Sequence, residues 1–314
     1  MIVALTPTGG RPEAFVLCEK YMARQTLMPD AWIVVDDVDP PTRCTMGQQV
    51  VRPEPRHQHY PEPNTQHRNT LAGLPQMGAD DLLIIFEDDD WYSPDYIETQ
   101  KHFADRYPHL GMFGQVPSRY YRVDERASRV FEDTPHSSLA STAFRGRMLE
   151  AIQYACESRA WLDTYLWKRF GANQGFLWSD IQVVGIKGMP GRAGVSAAHR
   201  QEVADDDRWQ ADLNLVTLER WIGKEDAAAY LKFWRTDLPD FSRENEDYDF
   251  KWFLSSGQKR YRCPSCPFDH YSPIEVSKHY FEIHEERPAI AQPLPPVTLF
   301  DADGKQIHRK IVRG

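Results

Sequence analysis

The stretch LLIIFEDDDWYSPDYIE, from Leu82 to Glu98, runs apolar and then sets four acids side by side at Glu87, Asp88, Asp89 and Asp90. Like charges packed this closely repel one another unless something positive lies among them. The Asp-x-Asp pair Asp88 and Asp90 suits a hard divalent cation, Mg2+ or Mn2+, because such ions prefer carboxylate oxygens. A solvated acidic turn that caps the next helix, opened by Ser93-Pro94, fits the same residues. A second set lies far downstream, Cys263-x2-Cys266-x12-His279-x4-His284. Two thiolates and two imidazoles at that spacing make a closed tetrahedral Zn2+ site.

The elements that must position these groups read as an α/β domain over residues 1–235. MIVALTP, AWIVVDD and DLLIIFEDDD are apolar runs closing on polar residues, separated by helical spacing in PEAFVLCEKYMARQ and NTQHRNTLAGLPQMG. Continuous rather than alternating apolar runs in strand–helix order predict a mostly parallel central sheet covered by helices on both faces. Ligands of such sheets gather at the carboxyl ends of the strands. There lie Thr6 to Arg11, Asp36 with Asp37, and the four acids. Pro40 to Asn64 reads as one long loop. Further strands are expected in GMFGQVPSRYYRV, SRVFED and DIQVVGIK, and helices in FRGRMLEAIQYACE, AWLDTYLWKRFG and between Trp209 and Trp234. Residues 236–258 read as a polar linker, 259–287 as a compact module, and 288–314 as an extended tail with a hairpin around Asp303-Gly304.

The chain has 314 residues, 41% hydrophobic and 26% charged, enough for a real core. No apolar run is long enough to span a membrane, and the start lacks the pattern of a secretion signal. Five scattered or closely paired cysteines suggest no disulfide framework, so a reducing, cytoplasmic setting is expected. A net charge of −9 argues against a surface coated for nucleic acid but leaves room for a local basic patch.

VALTPTGGRP, IVVDD and IIFEDDDWYSPDYIE, in that order and spacing, resemble the nucleotide-sugar glycosyltransferases of the GT-A fold, particularly family 2. The resemblance covers roughly residues 1 to 200 and implies a Rossmann-like domain that binds a nucleoside-diphosphate sugar, a UDP-sugar first among them. It implies that Thr6, Thr8 and Arg11 line the nucleotide site, Arg11 near the phosphates. Asp36 or Asp37 would contact base or ribose, Arg68 and Asn69 would face the donor together with Asp89, and Asp88 and Asp90 would hold Mn2+ or Mg2+. His199, after the Gly-rich loop, matches the family's late metal-ligating His, and it also fits a structural His. Asp163, in the family-like setting Asp-x-x-Leu-x-x-Arg, would be the base that deprotonates the acceptor hydroxyl. It equally fits a helix acid paired with Arg159 or Lys168, and Asp180 is the alternative base. Trp91 and Tyr92 would either stack on a ligand or pack the strand end.

The downstream module resembles a Cys2His2 zinc finger of ββα form. Ser272-Pro273-Ile274-Glu275 is a capping box that starts its helix, and His270 takes the usual aromatic core position. In fingers of this type Ser272, Glu275 and Lys278 would face bases, and Lys259, Arg260 and Arg262 would meet phosphates. A transferase joined to such a module points to DNA as acceptor, with sugar added to a 5-hydroxymethyl pyrimidine flipped out of the stack. Arg119, Arg122, Arg126 and Arg129 would form a basic track, and Trp161, Trp167 and Trp178 could hold the base. The other readings are a transferase acting on protein, lipid or polysaccharide with the module as a docking unit, and a non-catalytic zinc-dependent nucleic-acid binder.

Overall fold

The structure is a computed structural model that describes residues 1–60, 65–131, 136–158, 161–192 and 208–234, with four short strands downstream. His199 and the ligand set Cys263, Cys266, His279 and His284 lie outside the described residues, as do Lys259, Arg260, Ser272, Glu275 and Lys278. The chain divides into one unit of Met1–Arg235 with Pro296–Gly314 and another of Thr236–Pro295.

The first unit begins β1 (Ile2–Thr8), α1 (Pro12–Ala23), β2 (Ala31–Asp36), β3 (Gln49–Val51), α2 (Gln66–Gly73) and β4 (Leu82–Ile85). It continues with β5 (Trp91–Tyr92), α3 (Tyr96–Arg106), β6 (Met112–Gln115), β7 (Ser118–Arg122), β8 (Ala127–Phe131) and β9 (Thr142–Arg145). Then come α4 (Leu149–Glu157), α5 (Leu162–Gln174), β10 (Gly175–Trp178), β11 (Val183–Lys187), β12 (Gln210–Ala211), α6 (Val216–Ile222) and α7 (Lys224–Ala228). In the second unit β13 (Tyr261–Arg262) pairs antiparallel with β14 (Asp269–His270), bracketing the stretch that holds Cys263 and Cys266. Downstream, β15 (Leu299–Phe300) and β16 (Gln306–Ile307) return to the first unit as an antiparallel pair.

A nine-stranded sheet runs β16-β15-β10-β6-β9-β4-β1-β2-β3, and a five-stranded sheet runs β12-β8-β7-β11-β5. The fold is mixed α/β with a parallel-rich sheet: β4, β1, β2 and β3 are mutually parallel, as are β6, β10 and β15. Every residue of β1 is buried, because both its faces are covered. Ile2 and Ala4 join Phe15, Tyr21, Trp32, Ile84 and Phe103 in one core, whereas Val3 and Leu5 join Ile33, Leu83, Ile152, Leu166 and Trp167 in the other. Helices α1 and α3 thus cover one face, and α4 and α5 the opposite one.

Three strands depart from the sequence reading. β3 lies inside the stretch expected to be a loop and extends the sheet beside β2. β9, antiparallel between β4 and β6, takes Phe144 and Arg145 out of the expected helix. It has only four residues before the helical spacing of α4 begins, so its own period is hidden. β10 follows α5 directly, with no turn residue between them. Among the described residues no helix is long and apolar enough to cross a membrane.

Gly73 ends α2 where a methyl group would overlap the side chains of Val35 and Leu5. In an open helix Gly→Ala stabilises by about 1 kcal/mol. Here overpacking dominates, so Gly73→Ala should destabilise the protein by about 1–3 kcal/mol. A urea midpoint at or above that of the wild type would show that α2 does not seat against β1 and β2 as described.

Candidate functional site

Strands β1, β2 and β4 end on polar groups at the same edge of the sheet. After β4 the chain turns at Asp88 and Asp89 and enters β5, which pairs antiparallel with β11 of the second sheet. The four acids therefore sit where one sheet hands over to the other, and Asp88, Asp89 and Asp90 are all buried.

Among the described residues, Arg11 and Lys187 bring positive charge to the acid run. Arg11 forks both sides of Asp88, with Nε 3.2 Å from Oδ2, and reaches Asp89 Oδ2 at 2.8 Å. Thr8 Oγ1 donates to Asp88 Oδ2 at 2.6 Å. From β11, Lys187 Nζ lies 3.0 Å from Asp90 Oδ1 and 3.7 Å from Asp89 Oδ2. The Ile186 amide donates to the same Asp90 Oδ1 at 2.9 Å. Glu87 accepts from Gln66 Nε2 at 2.9 Å.

Among the described residues, two cations meet the four carboxylates. Burial pushes the Glu87 carboxyl up to about 8, with Asp90 and Asp89 adding to the effect. Burial likewise raises Asp88 and Asp90 to about 6 against the pull of Arg11 and Lys187. Glu87, Asp89 and Asp90 offer oxygens within 4.8 Å of one another. Three hard donors this close fit Mg2+ or Mn2+. The triad differs from the Asp88–Asp90 pairing read from sequence. The turn at Asp88 and Asp89 breaks the alternation on which that pairing rests, and Arg11 with Thr8 takes up the Asp88 carboxylate.

The other residues expected at the donor form hydrogen bonds within the fold. Thr6 is fully buried; its hydroxyl donates to Phe86 O at 2.6 Å and accepts from Trp32 Nε1 at 2.8 Å. Asp36 accepts from the amide of Thr42 at 2.9 Å and pairs with Arg52, which ties down the loop after β2. Asp37 is a hub: it receives Asn69 Nδ2 at 2.8 Å, Arg68 at 2.9 Å and Arg192 at 3.0 Å. Burial alone would raise its carboxyl, but hydrogen bonds from Thr65 and Asn69 and the charge of Arg192 hold it below the usual carboxylate range. Arg192 also donates to Thr65 Oγ1 at 2.6 Å and, through its amide, to Gly10 O at 3.2 Å, so it joins three loops of the rim.

Asp163 lies half-buried in the first turn of α5 and accepts from the Thr164 amide at 2.7 Å. Its charge acts on Tyr120, whose phenol is raised chiefly by burial and also feels Lys187, Asp90 and Glu87. Asp163, Asp90 and Glu87 thus all act on the Tyr120 phenol. Asp163 also faces His136, whose imidazole burial holds below its ordinary value. Asp180 sits in the bend after β10. Trp91 and Tyr92 pack the strand end: Trp91 Nε1 donates to Asp226 at 2.7 Å, and Tyr92 stacks on Phe86 at 3.7 Å. Trp167 and Trp178 are buried, leaving Trp161, 60% exposed, as the one of the three open to a ligand.

The expected basic track does not form from its four arginines. Arg122 pairs with Asp124 and Glu125, Arg126 stacks on Trp234 at 3.6 Å, Arg129 is buried against Phe131, and Arg119 donates to Pro117 O. Lys187, Arg192, Gln66, Tyr120 and His136 were absent from the sequence reading. Lys187 alone carried a signal, a lone lysine inside the apolar run VVGIKG, where burial demands a partner.

No family model matches the chain, and no curated protein does. Among solved structures, S. aureus TarS aligns with a TM-score of 0.43 at 14% identity, covering 59% of this chain and 36% of that one. Its 1–349 fragment in complex with UDP-GlcNAc aligns with a TM-score of 0.41 at 14% identity, covering 79% and 77%. Likeness this distant assigns this chain no family and no activity.

The Asp37 hub has a stability signature. Its carboxyl titrates lower in the folded protein than the unfolded value of about 3.9. Its contribution is therefore full above that value and lost as pH falls through the folded value. Asp37→Asn should lower stability by about 1–3 kcal/mol at pH 7. The gap to wild type should close in denaturant titrations stepped down from pH 5 to pH 2.5. A gap constant across that range would remove the ionised carboxylate from the account.

Proposed function

We propose that the chain is a divalent-cation-dependent glycosyltransferase that moves a sugar from a nucleoside-diphosphate sugar to a hydroxyl acceptor. The observation that carries this reading is the Glu87, Asp89 and Asp90 triad at the carboxyl ends of parallel strands. The ordered motifs from Thr6 to Asp90 that resemble the GT-A family support it. These three acids would hold Mn2+ or Mg2+, with His199 as a further ligand. When bound, the ion would neutralise charge on the diphosphate leaving group. Arg11, part-exposed beside Asp88 and Asp89, would extend positive charge toward the phosphates. Asp37, Arg68, Asn69 and Arg192 would set the shape of the nucleotide rim. Asp163 would take the acceptor proton as the hydroxyl attacks the anomeric carbon.

The acceptor reading rests on the Cys263, Cys266, His279 and His284 spacing, which would hold Zn2+ in a finger that engages DNA. A protein or glycan acceptor is the second reading, favoured by the internal use of Arg122, Arg126 and Arg129.

Diphosphate release should be followed with Mn2+ and a panel of nucleotide sugars, with and without DNA containing 5-hydroxymethyl pyrimidines. Release stimulated only by that DNA would establish the DNA acceptor. Release indifferent to DNA would keep the transferase and move the acceptor to protein or glycan. No release with any donor would sink the proposal. Asp90→Asn should cut turnover about 10²-fold or more. Asp163→Asn should reduce turnover by about 10²–10⁴-fold with donor binding unchanged. Equal loss of donor binding and turnover in Asp163→Asn would remove it as the base.

A further inference from the structure

Lys187 is nearly fully buried, yet it comes from β11, an element apart from the loop that carries the acids. Its ammonium touches two of the three residues of the metal triad, Asp90 Oδ1 at 3.0 Å and Asp89 Oδ2 at 3.7 Å. The backbone of Lys187 is held in the sheet. Its carbonyl accepts from the Val123 amide at 2.9 Å, β11 pairs with β7 in register, and the nitrogen lies 5.6 Å from the centre of the Tyr120 ring. Gly188 follows with φ +81°, a conformation that turns the chain sharply out of the strand. Both hydrogen bonds to Asp90 fall on Oδ1, which leaves Oδ2 for a metal ion.

We infer that Lys187 is a built-in competitor for the divalent cation, a positioning residue whose ammonium shares Asp89 and Asp90 with the metal and so holds its affinity down. The inference rests on the transferase reading of the triad. Two cations bound to the same carboxylates a few ångströms apart repel strongly where water is excluded. Removing the fixed one therefore favours the exchangeable one. The device suits a site that must bind metal with its diphosphate ligand and release both after transfer. The substrate's own negative charge would then supply what the lysine takes away.

The test measures Mn2+ binding to the full chain without donor, by the loss of the free-ion signal in electron paramagnetic resonance. Lys187→Gln keeps a hydrogen-bond donor near Asp90 and removes the charge, and it should bind Mn2+ at least about tenfold more tightly than wild type. Lys187→Arg keeps the charge and should stay within about threefold of wild type. A purely structural lysine predicts the opposite sign, because its loss would loosen the acids and weaken binding. Equal or weaker binding by a folded Lys187→Gln protein overturns the inference while the metal reading stands. Absence of Mn2+ binding in wild type and both variants overturns both. If Lys187→Gln fails to fold, the arginine variant decides: a Kd more than tenfold from wild type in either direction overturns the inference, and one within threefold supports it.

Discussion

Burying adjacent carboxylates costs several kcal/mol per ion unless cations meet them, and this requirement organises the centre of the molecule. Arg11 arrives from the loop after β1 and Lys187 from the end of β11, and both converge on the turn after β4. Neither could do so unless β1 and β4 were neighbours in the large sheet and β11 lay beside β5 in the small one. The junction of the two sheets is thus a place where charge balance and chain topology constrain each other. Burial, with the neighbouring acids adding to it, nonetheless keeps the carboxyls of Glu87, Asp88 and Asp90 raised.

A second polar centre works by a different rule. Asp37 is fully buried but oversupplied with donors, so its charge is stabilised rather than strained. Its partners come from α2 and from Arg192 after β11, and a side chain at Gly9 would overlap the Asp37 carboxylate. Close packing of backbone and hydrogen-bonded charge gives this rim a single arrangement. The Asp37 hub thus lies on the same side of the sheet as the acid run, where Arg11 and Lys187 meet the carboxylates.

The parts of the fold legible in the sequence were those with period and length. MIVALTP, AWIVVDD and DLLIIFEDDD read as buried strands because the residues on both their faces are apolar, and their polar ends marked the edge where the site lies. Strands β9 and β10 were hidden because four residues beside a helix carry too little pattern to separate strand from helix. Within the site, the acids were legible as residues but their division of labour was not. That division depends on Arg11 claiming Asp88 and on a lysine 97 positions from Asp90 in sequence, both products of tertiary contact. The resemblance places Asp36, Arg68 and Asn69 toward a ligand, and in the fold their hydrogen bonds also hold the loops of the rim.

The arginines between Arg119 and Arg129 bear on how such a protein would meet a polyanion. A guanidinium stacked on Trp234 or forked onto Asp124 is engaged with its own chain. With a net charge of −9 over the whole chain, long-range attraction to nucleic acid is weak unless it is concentrated elsewhere. The basic run Lys259, Arg260 and Arg262 is where the sequence concentrates it. If the acceptor is DNA, recruitment and chemistry are therefore carried by different parts of the chain. Salt would then weaken acceptor capture far more than it weakens metal or donor binding, since exposed charges are screened and buried ones are not.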